Sequence, residues 1–362
     1  MKELGYIIFA LIYKICCLKK ADSDTVFAIM THDPSETGNI KTLERYMLTQ
    51  DDYIFYSVTK AERDDRSIKG MLKFLFMKPA QMARAGIILM DNAFIPMAFF
   101  KVRKGTKVVQ LWHGTATIKK FGQDANVGKI RKYEYRLNQN ITHLIVSSEN
   151  LIDQYSGAFG VSTDKVFATG LPRTDAIIDY IFKYGTETNR DYKKYILYAP
   201  TFRDREVEDP KIHLDVERLL DKLPEEYVVM LRLHPYVASK FANRIDPRYD
   251  ERVMDVSKMP DLRELMGSSC CLITDYSSII FEYLLFDKPM FFAADDLAEF
   301  SEDGRGFYEP YEEFIPGPFI NDVNELANAI VNKEKRDYSP YIEKFYDSPD
   351  NEACARIYEL IK

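Results

Sequence analysis

The chain has 362 residues, 46% of them hydrophobic and 29% charged, a length that fits two domains of roughly 150–200 residues rather than one core. The net charge of −7 is unevenly spread: 26 Lys+Arg against 19 Asp+Glu give residues 1–185 a net +7, and 23 against 37 give residues 186–362 a net −14. The basic half favours an anionic surface or acceptor, and the acidic half argues against nucleic-acid binding by the whole chain. The five cysteines, four of them in the adjacent pairs Cys16-Cys17 and Cys270-Cys271, match neither a disulfide framework nor the C-x-x-C spacing of a zinc site, which points to a reducing, cytoplasmic environment.

Leu4 to Leu18 is almost wholly apolar, interrupted by Lys14 and flanked by Lys2, Lys19 and Lys20. It is short for a membrane span, and no small-residue cleavage site follows it. It reads as a first core helix or as a helix lying on a bilayer surface. Asp22-Ser23-Asp24 formally matches a metal-binding D-x-D, but its place before a strand reads as a solvated turn. In the run from Ile68 to Lys78, residues Ile68, Met71, Leu72, Leu75 and Phe76 fall on one helical face, flanked by Lys69 and Lys73 and closed by Pro79. Such a basic amphipathic helix either packs on a sheet or lies among anionic headgroups, and two apolar, lysine-bearing segments in the basic half favour the membrane.

Strand-like runs at Thr25–Met30, Gly86–Met90, Lys107–Leu111 and Ile141–Ser147 alternate with longer helical stretches, the pattern of a parallel sheet. The polar stretch Tyr180–Asp191 reads as a linker, which divides the chain into domains 1–185 and 186–362. The pattern restarts with strands at Tyr195–Ala199, Tyr227–Arg232, Arg252–Asp255, Cys271–Thr274 and Pro289–Ala293. The fold class expected is α/β, with two Rossmann-like domains.

Neither G-x-x-x-x-G-K-[ST] nor G-x-G-x-x-G occurs, so the ATPase loop and the dinucleotide fingerprint are excluded. Chemistry gathers instead where strands end, the edge at which open α/β sheets bind ligands. In the first half Trp112-His113-Gly114-Thr115 follows the run Val108 to Leu111. His113 is the candidate base, because an imidazole takes a proton near neutral pH, and Gly114 leaves room for close approach of a substrate. His32, His143 and His213 read as structural or exposed.

In the second half Thr274-Asp275-Tyr276-Ser277-Ser278 lies between a strand and an apolar run that reads as a helix. Free N–H groups at that helix start, with the Ser277 and Ser278 hydroxyls, suit a pyrophosphate, although a plain cap is the more common use of such a serine. Thr201 and Arg203, Arg232 and His234, and Arg305 and Gly306 follow other strands. Three arginines at strand ends point to phosphate oxygens.

With those residues in place the chain resembles the CDP-glycerol glycerophosphotransferase family of teichoic acid synthesis. The resemblance rests on Gln110 to Thr115 with Lys119-Lys120-Phe121-Gly122; on Gly170-Leu171-Pro172-Arg173-Thr174-Asp175; and on Tyr198 to Arg203. Further matches are Arg232-Leu233-His234-Pro235, Thr274 to Ser278 with Phe281-Glu282, and Arg305 to Tyr308 with Pro316-Gly317-Pro318. The first hundred residues match only in pattern.

The resemblance implies a glycosyltransferase-B architecture and transfer of glycerol phosphate from CDP-glycerol with release of CMP, requiring no cofactor or bound metal. The acceptor it implies is an undecaprenyl-pyrophosphate-linked ManNAc-GlcNAc disaccharide or a growing polymer. The chain lacks the long N-terminal extension expected of many polymerases, so the priming enzyme is the expected member. Poly(glycerol phosphate), ribitol phosphate and capsule-polymer transferases of the family are the alternatives. His113 is then the expected base, with His234 an alternative proton donor to the leaving phosphate, and Glu282 the partner of the cytidine ribose. Peripheral attachment to an anionic membrane at the cytoplasmic face is expected, and homo-oligomerisation is left open.

Overall fold

The computed structural model describes residues 2–201, 203, 211–233, 237–238, 245–303 and 306–362. His234 and Arg305 lie outside the described residues. The chain divides into two compact units: Met1–Thr115, Phe121–Ala176 and Lys344–Lys362 form the first, and Ala116–Lys120 with Ile177–Glu343 the second.

The first unit is built on six parallel strands: β1 (Asp22–Met30), β2 (Ile54–Thr59), β3 (Ala85–Met90), β4 (Lys107–Gln110), β5 (His143–Val146) and β6 (Val166–Ala168), in the order β2-β1-β3-β4-β5-β6. Residues Thr25 to Met30 of β1 are all buried, as a strand covered on both faces requires. The chain leaves β1 to one side for β2 and returns to the other for β3, so the topology reverses between β1 and β3. Such a reversal opens a crevice at the carboxyl ends of the strands. β2 and β6, both edge strands, were not expected from the sequence.

The second unit carries β7 (Lys194–Ala199), β8 (Tyr227–Leu231), β9 (Val253–Asp255), β10 (Ser269–Thr274) and β11 (Met290–Phe292), all parallel, in the order β11-β10-β7-β8-β9. Here the reversal falls between β7 and β10. Helices Val216–Lys222 and Val323–Val331 bury Leu219, Leu220, Leu326 and Ile330 in a core that includes Ile196, Val229 and Ile273 of this sheet.

The expected single division at 185/186 is corrected at both ends. The unit boundary falls after Ala176, and the last nineteen residues return to the first unit. Helix Ala353–Ile361 buries Cys354, Ile357 and Ile361 with Leu43, Leu89 and Leu171. Asp175 accepts from the N–H groups of Ala353 and Cys354 at 3.0 and 2.7 Å, holding the start of that helix.

The segment expected to be one amphipathic helix is an α-turn Ile68–Leu72, a π-turn Lys73–Met77 and an α-helix Lys78–Arg84. Pro79 therefore begins a helical turn rather than ending one, as its missing N–H allows at that position. Ile68, Met71, Leu72, Phe76 and Met77 are exposed. Lys69 is exposed, whereas Lys73 is paired with Glu62 at 2.6 Å. Helix Lys2–Cys16 has two faces: Phe9 and Tyr13 are buried, while Leu4, Ile7, Leu11 and Ile15 face outward. No helix among the described residues is long and apolar enough to cross a membrane.

Candidate active site

Three strand ends meet at the reversal point of the first sheet. β3 delivers Asp91, the β1 end delivers Thr31 to Asp33, and β4 delivers Trp112 and His113. Asp91 is buried, and its carboxylate accepts from the main-chain N–H of Thr31 (2.9 Å), His32 (3.1 Å) and Asp33 (2.8 Å). Burial raises the Asp91 carboxyl above its ordinary range, against the pull of those three donors.

Nδ1 of His113 lies 2.9 Å from the Asp91 carbonyl oxygen. A carbonyl can only accept, so Nδ1 carries the proton and Nε2 is the basic nitrogen. The exposed ring of His32 stacks on that of His113, with centroids 3.7 Å apart and planes 19° from parallel.

The turn that aims His113 is strained and braced. Trp112 has φ of 56°, a left-handed conformation costly for a side chain with a Cβ. Its N–H donates to Gln110 Oε1 at 3.0 Å, and its carbonyl accepts from Asn39 Nδ2 at 3.0 Å. Asn39 also binds the Leu111 carbonyl and accepts from the N–H of Arg173, whose Nη1 donates to the His113 carbonyl. The indole packs on Phe121 and Phe159, with centroids 5.1 and 5.2 Å away. Gly114 and Thr115 are buried behind the turn.

At the reversal point of the second sheet, β7 ends in Thr201 and Arg203 and β10 ends in Thr274 and Asp275. Thr274 Oγ1 donates to the Ala199 carbonyl, and Asp275 accepts from the N–H of Thr201 at 2.8 Å, tying the two ends together. The Thr201 hydroxyl is buried with no hydrogen-bond partner among the described residues. Ser277 and Ser278, both half-buried, follow Asp275 and Tyr276 and precede the six-residue helix Ile279–Leu284. Ser278 makes no side-chain cap. Glu282 on that helix is buried, with 3% of its surface exposed.

The arginines behave differently from the sequence expectation. Arg203 is buried and grips Asp296 through two bonds of 2.8 and 2.9 Å, with Asp275 at 2.9 Å and Tyr276 beneath it, 4.7 Å from the ring centre. The two carboxylates hold it protonated against the opposite pull of burial. Its charge is therefore engaged inside the unit. Arg232 turns Nη1 toward the carbonyls of Val256, Ser257 and Met259 at 2.6–2.9 Å, and burial lowers its basicity. Gly306, with φ of 72°, accepts through its carbonyl from Lys120 N–H at 2.9 Å, where Ala116–Lys120 joins the second unit.

His213, Asp295 and Asp296 place ligand atoms within 4.8 Å of one another. Asp296 is already in its ion pair with Arg203, a cation that repels any metal entering there. His32, Asp91, Asn39 and Arg173 are the residues sequence reasoning left out of the site. The local signals were the position of Asp91 directly after an apolar strand and the place of Arg173 in the motif Gly170 to Asp175.

Two parallel α/β sheets with polar groups at both reversal points define a protein of the glycosyltransferase-B fold. A structure of the wall teichoic acid polymerase TagF superposes with a TM-score of 0.78 at 24% identity, covering 98% of this chain and 92% of that one. S. aureus MnaA with UDP gives 0.58 at 16% identity, covering 94% and 96%.

The chain belongs to the CDP-glycerol:poly(glycerophosphate) glycerophosphotransferase family, whose model matches residues 11–362. It is 31% identical to a teichoic acid poly(ribitol-phosphate) polymerase of Bacillus spizizenii, matching all of this chain and 60% of that protein. It is 33% identical over 257 residues to the teichoic acid glycerol-phosphate primase of Bacillus subtilis, covering 69% of this chain and 66% of the primase. A teichoic acid glycerol-phosphate transferase of Staphylococcus aureus is 29% identical, with 95% and 94% covered. The chain thus spans about 60% of the length of the ribitol-phosphate polymerases it matches.

Proposed function

We propose that this chain transfers glycerol phosphate from CDP-glycerol to a hydroxyl of an undecaprenyl-pyrophosphate-linked ManNAc-GlcNAc disaccharide, releasing CMP. Family membership supports phosphoryl transfer from a CDP-linked polyol. The observation that carries the assignment of the base is the bond from His113 Nδ1 to the Asp91 carbonyl. It leaves Nε2 to take the acceptor proton as the hydroxyl oxygen attacks phosphorus. Little covalent chemistry remains for the protein in such a transfer, and positioning with charge stabilisation supplies most of the acceleration.

On the donor side, Thr201, Ser277 and Ser278 are assigned to the pyrophosphate, with the unpaired Thr201 hydroxyl in support. Arg203 holds Asp275 and Asp296 in place rather than meeting phosphate itself. Arg232, His234, Arg305 and Gly306 keep their donor-side roles, and Glu282 its ribose role, on the resemblance alone. The exposed apolar residues Ile68, Leu72 and Phe76 with Lys69 are assigned to an anionic membrane, peripheral and at its cytoplasmic face.

A second reading, ribitol phosphate as the transferred group, is favoured by one observation: ribitol-phosphate polymerases match 92–100% of this chain at 29–31% identity. Incubating the protein with CDP-glycerol or CDP-ribitol and the lipid-linked acceptor, then weighing the acceptor by mass spectrometry, separates the two. One added glycerol phosphate supports the priming reading, and a ladder supports a polymerase. Growth only with CDP-ribitol replaces the donor.

A further inference from the structure

Two histidines lie face to face in the first unit, and the proposed reaction uses only one. His32 comes from the loop after β1, and Asp91 anchors that loop through its carboxylate while holding His113 through its carbonyl. One residue thus holds the His113 ring and the main chain that carries His32, and the 3.7 Å centroid spacing is that of direct stacking. Trp112 covers His113 as well, with centroids 3.9 Å apart.

We propose that His32 is a positioning residue for His113, its neutral ring forming the aromatic face against which the His113 imidazolium develops. This rests on His113 being the base. In the step, the proton leaves the acceptor hydroxyl for His113 Nε2, and the oxygen's electron pair forms the new P–O bond. The bond from that phosphorus to the bridging oxygen of CMP breaks, and its electrons leave with CMP. His113 ends the step with a positive charge it did not have before.

A neutral aromatic face stabilises that charge, as aromatic rings stabilise cations held over them. A protonated His32 at the same distance repels it. Among the described residues, the charged groups beside the pair include the Asp91 carboxylate from β3, Asp33 on the loop itself and the Arg173 guanidinium at the His113 carbonyl. Histidine is the side chain whose ordinary value lies between pH 5 and 8.

The test is the pH dependence of kcat for the full chain with CDP-glycerol and the lipid-linked acceptor, in wild type, His32→Ala, His32→Phe and His113→Ala. His32→Ala is expected to lower kcat about tenfold with KM for CDP-glycerol little changed, the mark of an interaction made in the transition state. His32→Phe keeps the aromatic face and is expected to restore most of the rate at pH 8. On the acidic side, log kcat of wild type should approach a slope of two, because both rings must be neutral, and that of His32→Phe a slope of one. A wild-type rate in His32→Ala, or a slope of two retained in His32→Phe, overturns the proposal. Activity surviving in His113→Ala overturns instead the base assignment beneath it, so the two failures are distinguishable.

Discussion

Asp91 presents its main-chain carbonyl to His113 Nδ1 at 2.9 Å and its carboxylate to the N–H groups of the loop that carries His32. The end of one buried strand thereby sets both the tautomer of the proposed base and the position of the loop that carries its neighbour. Asp91→Asn keeps the carbonyl but puts an NH2 group among three N–H donors. Such unmatched buried donors cost about 1–3 kcal/mol. The expected result is a lower melting temperature together with a kcat reduced about tenfold or more, measured by thermal unfolding and steady-state CMP release. An unchanged kcat in Asp91→Asn would show that the loop does not serve the base.

Arg203 is expected to act on stability before it acts on substrate. Replacing it by Met leaves Asp275 and Asp296 buried without their cation, and breaking such a pair costs about 3–5 kcal/mol. Thermal or urea unfolding of Arg203→Met checks this. A variant as stable as wild type with a raised KM for CDP-glycerol would return Arg203 to the phosphate.

The same pair sets an acid limit. Burial alone would raise the Asp296 carboxyl, but the hydrogen bonds and charge of Arg203 outweigh it and hold the group below its ordinary value. A folded-state value depressed in this way contributes stability that is complete above the unfolded carboxylate range, about pH 4, and is lost as pH falls through the folded value. Asp296→Asn should therefore unfold more easily than wild type at pH 7, with the gap closing below about pH 4. A gap independent of pH would contradict the ion-pair account.

Membrane attachment is assigned to exposed side chains that the first unit leaves uncovered, with Ile68 79% and Phe76 48% exposed. Replacing both with Ser should release the protein from anionic vesicles in flotation, since burying each such side chain is worth about 1.5–3 kcal/mol. Lys69→Glu should weaken flotation more at low salt than at high salt. Lys73 is a poor probe, because Glu62 already holds it at 2.6 Å. Flotation unchanged by the double Ser variant would remove this surface from the account.

The sheets were legible in the sequence because their central strands are short apolar runs that end abruptly in polar residues: Val108 to Leu111 before Trp112, and Cys271 to Ile273 before Thr274. β2 was not, since Phe55, Tyr56, Ser57 and Thr59 belong to a half-covered edge strand with no continuous apolar run. The return of helix Ala353–Ile361 to the first unit depends on Asp175, a partner 178 residues from Ala353, and no local pattern reports it. An arginine at a strand end looks the same in sequence whether it will meet phosphate or, as Arg203 does, an aspartate 93 residues on. The place of His113 at a strand end was legible from its motif, whereas the stacking of His32 on it arises only when two strand ends bring the rings together.

The most direct test of the account is the mass of the lipid-linked acceptor and the release of CMP after incubation with CDP-glycerol, for wild type beside His113→Ala. The account predicts one added glycerol phosphate with stoichiometric CMP for wild type, and a rate lower by about 10²–10⁴ for the variant, the usual share of a general base. A wild-type protein that leaves the acceptor mass unchanged, or a His113→Ala variant within a few-fold of wild type, would contradict it.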